Sequence, residues 1–145
     1  MKRLVTSISV LITLLGITAG CAGALKVKAA LVAGQETAVN ELADAQTLEI
    51  TLYHSNTVPA LTQAKHVEIQ TSFKDAAQKL QVAGADIKAW DGTGIPPATL
   101  AAAKAVILGI KNTVDILQPG TSLASKLQQV LDKLKGGEPN FAIAH

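Results

Sequence analysis

The sequence predicts an all-α fold: an antiparallel up-down helical bundle of about four helices, two long and two shorter, after an N-terminal hydrophobic leader helix. Three observations carry this reading. Apolar residues recur at spacings of three, four and seven along most of the chain, which places them on one face of each helix. Proline and glycine gather around Pro59, between Asp91 and Pro97, and at Gln118-Pro119-Gly120, cutting the chain beyond its leader into four segments. Short connections of this kind make successive helices antiparallel neighbours.

The leader comes first. Met1, Lys2 and Arg3 form a short positive segment, and Leu4 to Ile17 form an apolar run broken only by Thr6, Ser7, Ser9, Thr13 and Gly16. That is the pattern of a secretory signal peptide. A membrane-spanning helix takes roughly 20 apolar residues, whereas this run is shorter and meets Lys26 and Lys28 soon afterwards, so permanent spanning is the second choice. The run ends in Thr18-Ala19-Gly20-Cys21, which over residues 1–21 resembles the lipobox of bacterial lipoproteins. The resemblance implies a signal peptide at 1–20 and acylation of Cys21 as the new N-terminus. With Ala22 rather than Asp after the cysteine, it also implies sorting to the outer membrane of a two-membrane cell. Thr18 departs from the family's usual Leu, and Ala22-Gly23-Ala24 offers an ordinary A-x-A cleavage site that would discard the cysteine. Retention of the leader as an uncleaved hydrophobic helix is the third possible fate. Lys26 and Lys28 follow the anchor, where each could touch anionic headgroups for ~1 kcal/mol or simply be solvated.

Residues 21–145 form a single domain, with 136–145 expected as a loose tail. Its first helix runs from about Ala24 to Asn56, with Leu31, Ala38, Leu42, Ala45, Leu48 and Leu52 on one face and Glu36, Glu41, Asp44 and Glu49 mostly elsewhere. Proline disfavours helix in the residue before it and suits a following first turn, so Pro59 separates this helix from the next. The second helix runs from about Pro59 to Trp90 on a stripe of Ile69, Phe73, Ala76, Ala77, Leu80, Ala83, Ile87 and Trp90, and Asp91-Gly92-Thr93-Gly94 stops it. The third starts at Pro96-Pro97 and carries Leu100, Ala103, Ile107, Ile110, Val114 and Leu117. The fourth opens with Thr121 or Ser122 as N-cap, carries Leu123, Leu127, Val130, Leu131 and Leu134, and closes at Gly136-Gly137. Two stretches, Leu48 to Leu52 and Val67 to Phe73, also alternate as strands do, but a lone hairpin is marginal and both lie inside longer helical patterns. Because the third and fourth helices are shorter, part of the long pair is expected to keep an exposed apolar stripe.

Composition narrows the chemistry. Beyond the leader eleven lysines balance eleven acidic residues, and Arg3 is the only arginine, so the planar fork that reads bases and clamps phosphates is missing. Tyr53, Phe73, Trp90 and Phe141 are too few and scattered to stack on single-stranded nucleic acid, and no nucleic-acid partner is expected. The Glu-x-x-His pair of di-iron bundles does not occur, nor do Cys-x-x-Cys-His, Gly-x-Ser-x-Gly or Ser-x-x-Lys. His54 and His66 flank the first turn, with Glu49 or Glu68 as uncertain additions, and read as a surface pair at a wet helix end. Gly92-Thr93-Gly94 resembles half of a phosphate loop but reads as a helix stop. Glu41 and Asp44, one turn apart, read as a solvated face, and Trp90 reads as a core or rim residue.

No catalytic, metal or cofactor site is therefore expected; the site residue is Cys21, for lipidation. The expected function is a non-enzymatic, lipid-anchored helical protein of the bacterial cell envelope, on its periplasmic side. It would act as a scaffold or as a module that binds a protein partner, or itself, through its helix faces. The alternatives are a membrane-inserted accessory protein of phage or prophage type with an uncleaved leader, and a bundle that binds a small ligand.

Overall fold

A computed structural model describes residues 2–119 and 121–135, with side chains from residue 22 onward. Four helices follow one another: α1 (Lys2–His54), α2 (Gln63–Ala89), α3 (Ala98–Leu117) and α4 (Ser122–Lys133). Among the described residues there is no strand. α1 packs against α2 and α4, and α3 packs against the same two, so the helices close a ring in which each touches its sequence neighbours and the first helix meets the last. This is the up-down bundle that the periodicity predicts.

The leader and the first bundle helix are one uninterrupted helix rather than two pieces. Nothing in Gly20-Cys21-Ala22-Gly23 forces a break, because glycine costs a helix only about 1 kcal/mol and proline is absent there. The expected tail at 136–145, the Gly136-Gly137 stop, Gly120 and the side chains of the leader and of Cys21 lie outside the described residues.

Each helix buries a seam at alternating steps of three and four residues, the spacing that keeps one face on its partners over many turns. In α2 it is Ile69, Phe73, Ala76, Leu80, Ala83 and Ile87, and in α3 Leu100, Ala103, Ile107, Ile110 and Val114. α4 contributes Leu123, Leu127, Val130 and Leu131, and Leu134 just beyond it is also buried. The seam of α1 runs Leu31, Gln35, Ala38, Leu42, Ala45, Glu49. Two of its members are polar, which the apolar pattern does not foresee. Leu48 and Leu52, expected in that seam, are only partly buried. Both stretches with strand-like alternation are helical, and their threonines fit because Thr47, Thr51 and Thr71 return their hydroxyl protons to the carbonyl four residues back.

The ends of the elements correct the expected boundaries. α1 stops two residues early, with Asn56 in the left-handed region at φ 50°. α2 starts at Gln63 rather than Pro59, since the Thr62 hydroxyl caps it by accepting from the Lys65 amide. The intervening residues let Leu61 turn inward, 9% exposed, and close the end of the long hairpin. Thr121 holds the N-cap position of α4, but its hydroxyl makes no cap bond.

Candidate functional site

Two places in the bundle depart from plain apolar packing, and they lie at opposite ends. At the turn between α1 and α2, Glu49 is 0% exposed. Its carboxylate oxygens each lie 3.0 Å from Nδ1 of His66, and Gln70 donates a further hydrogen bond from Nε2. Gln46 in turn donates to Oε1 of Gln70 at 2.8 Å. Tyr53 stacks on the His66 ring, with centroids 4.0 Å apart and planes 4° from parallel. The carboxylate enters the core because α2 supplies hydrogen bonds to it there through His66 and Gln70, without which its burial would cost several kcal/mol.

This corrects the placing of Glu49 off the apolar face of α1 and the reading of His66 as a surface histidine. His54 does lie in solvent, 6.5 Å from His66 between ring centroids, but His66 turns to Glu49 instead. Among the described residues, no three His, Cys, Asp or Glu side chains are grouped to hold a metal ion. A signal for the cluster does exist in the sequence: Gln35, Leu42 and Glu49 are spaced by seven, so the same register that buries Leu42 buries the other two.

Beside the cluster is a cavity of about 10 Å³, walled by Leu61, Ile69, Val114, Leu117 and Leu123 together with Glu49 and Gln118. The Oε1 atom of Gln118 and Oγ1 of Thr121 are buried nearby in the α3–α4 turn without a hydrogen-bond partner among the described residues. Two heptads down α1, Gln35 solves the same problem alone by donating from Nε2 to the Leu80 carbonyl at 2.9 Å. Gly84 makes room for it, since a Cβ there would stand 2.7 Å from that nitrogen.

The other end is the one from which α1 enters the bundle. Gly92, in the left-handed region at φ 87°, sits directly against the backbone of Ala24, where any Cβ would collide with the carbonyl. Trp90 is partly buried and donates from its indole nitrogen to the Thr93 carbonyl at 2.7 Å. Asp91 accepts from both the amide and the hydroxyl of Thr93 at 2.8 Å, and these bonds hold its carboxyl below the usual carboxylate range. The Gly92-Thr93-Gly94 loop is thus a helix stop organised by a carboxylate, and that carboxylate occupies the amide an anion would need. Beyond it Ile95 is 91% exposed, and Leu25, on the adjacent turn of α1, is 63% exposed. Lys26 and Lys28 stand on the same stretch of α1, Lys28 close enough to Asp91 to help lower its carboxyl, and Lys88 near the end of α2 pairs with Glu36, before which the chain has no acidic residue.

Of the remaining expected residues, Asp44 is exposed and pairs with Lys126 at 3.6 Å, as a solvated face should. Among the described residues no helix is long and apolar enough to cross a membrane. The chain matches no protein-family model, no curated protein and no solved structure.

Proposed function

We propose that the chain is a lipid-anchored, non-enzymatic helical module of the bacterial cell envelope, exported and held at a membrane through Cys21. The observation that carries this reading is positional. The only cysteine ends an uncharged run of hydrophobic and small residues, and the packed bundle begins one helical turn later, where Ala24 meets Gly92. A thiol at that junction supports a role in acylation. Several acyl chains, as the lipobox resemblance implies, exceed the two-signal requirement for stable anchoring. The bundle then serves as a scaffold or as a surface for a protein partner or a second copy. Its α3 face supports that part of the reading, since it presents Leu108 and Ile116 to solvent at 47% and 83% exposure.

Intact mass of the protein extracted from its native membrane, compared with Cys21→Ser, tests the anchor. The expected mass is residues 21–145 plus lipid, with the variant lacking the lipid and leaving the membrane fraction. An unmodified sulfur, or a chain that begins beyond Cys21, refutes it. The continuity of α1 through Cys21 favours one second reading, an accessory protein whose leader stays in the bilayer, and that reading requires the mass of the uncleaved chain.

A further inference from the structure

We propose that the leader end of the bundle is itself a membrane-contacting surface, in which Ile95 and Leu25 enter the headgroup region of an anionic bilayer, Trp90 lies at the interface, and Lys26, Lys28 and Lys88 face lipid phosphates. The inference rests on the chain being held at a membrane from its N-terminal side, by lipid on Cys21 or by a retained leader. Either way the geometry is the same. Ala24 is level with Gly92, and at 1.5 Å per residue Cys21 lies only about 4.5 Å further along the axis of α1. A lipid on that residue brings the α2–α3 loop to the bilayer surface, with no linker to hold it away.

The loop is built for that neighbour rather than for water. Ile95 is the most exposed large apolar residue of the described chain, and it stands beside two prolines that fix the backbone around it. Trp90, whose indole nitrogen is already satisfied by Thr93, offers a rigid aromatic face of the kind enriched at membrane interfaces. The lysines supply the opposite charge to acidic lipid headgroups, with long stems that let the ammonium reach outward past apolar side chains. Lys88 exchanges one partner for another, since at 3.3 Å from Glu36 its ion pair is exposed on both sides. The opposite end exposes Ile116 and Val67 and pairs Lys65 with Glu68 at 2.7 Å, but it has no tryptophan beside them.

Trp90 is the only tryptophan, so the full chain carries its own reporter. The extracted protein is reconstituted into phosphatidylcholine vesicles with and without phosphatidylglycerol, using lipids brominated near the carbonyl end of the acyl chain. Trp90 fluorescence is expected to be quenched, more strongly with phosphatidylglycerol and less in high salt. Ile95→Asp, at a position too exposed to affect the melting curve, is expected to lose most of the quenching, while Lys65→Glu at the far end keeps it. Absence of quenching in protein whose mass shows lipid on Cys21 or a retained leader overturns the contact surface and leaves the anchor standing. A mass that refutes the anchor, together with quenching that still depends on phosphatidylglycerol and on Ile95, fails the anchor alone. Quenching that Ile95→Asp does not change also overturns the proposal.

Discussion

The two polar members of the α1 seam face the same demand and meet it differently. Gln35 is neutral, makes its core hydrogen bond to a backbone carbonyl of α2, and needs the missing side chain of Gly84 to fit. Glu49 is a carboxylate, draws on the side chains of two α2 residues, and is shielded by a stacked tyrosine. The first is a spacing device and the second a hydrogen-bonded acid. Between them, two heptads apart, they leave α1 only one register on α2, because a slip of one turn would strand a buried amide and a buried carboxylate together. Buried polar groups fixing register at a cost in stability is a known use of such positions.

The sharpest way to break that comparison is to show that the seam is not a core at all. Leu80 and Ile107 are both 0% exposed, and a carboxylate placed at either has no partner. The several kcal/mol this costs is comparable with the roughly 5 to 15 kcal/mol that stabilises a domain. Leu80→Asp and Ile107→Asp should each abolish the cooperative transition in circular dichroism melts. Lys79→Asp, which exchanges an exposed surface pair with Asp75 for a screened like-charge pair one turn away, should shift stability by about 1 kcal/mol and keep the transition cooperative. Equal curves for all three variants would refute the face assignments.

Next in size is the asymmetry within the Glu49 cluster. His66→Ala leaves the carboxylate buried with less support and should destabilise by about 3 to 5 kcal/mol, as removal of one partner of a buried pair does. Replacing both partners, Glu49→Leu with His66→Leu, removes the buried acid together with its partner and should be neutral or stabilising by about 1 to 4 kcal/mol. Urea denaturation measures both, and a loss in the double variant as large as that of His66→Ala would mean that the pair is a net source of stability rather than of specificity.

At the Gln35 device the expected effect is smaller. Gly84→Ala gains about 1 kcal/mol in helix propensity but drives Gln35 from its carbonyl, and an unsatisfied buried amide costs about 1 to 3 kcal/mol. The single variant should be destabilised by roughly 1 kcal/mol on balance. In a Gln35→Ala background the same change should instead stabilise, and a double-mutant cycle without this change of sign would separate Gly84 from Gln35.

These contrasts also mark how far the sequence could be read. The bundle was legible because Leu100, Ala103, Ile107, Ile110 and Val114 repeat a spacing that only a helix turns into one face. The site was not, because an apolar template skips polar letters: Glu49 and Gln35 occupy seam positions that a count of seven finds and a count of hydrophobic residues does not. His66 was visible as a residue near the turn, but its partner depends on the rotation of α2 against α1, which side-chain packing decides. The α2–α3 loop was half legible. Proline and glycine announced a stop, while the exposure of Ile95 and the seating of Gly92 on Ala24 follow only once α1 lies beside the loop.

That loop carries the smallest expected effect, and its sign follows from Asp91. Hydrogen bonds from Thr93 lower the Asp91 carboxyl from its ordinary value of 3.8 in the folded chain, chiefly through the amide, with Lys28 a minor contributor. A group whose folded value is depressed adds stability that is fully present above its unfolded value and is lost as pH falls through the folded one. The difference in stability between the native chain and Asp91→Asn should therefore be constant from neutral pH to about pH 5, then shrink as acid titrates the carboxylate. Asparagine keeps an oxygen for the Thr93 amide, so what the subtraction isolates is the charge. Urea melts in paired buffers measure it, and a difference that grows below pH 4 would mean that Asp91 is more strongly bound when protonated, against the geometry of the two bonds from Thr93.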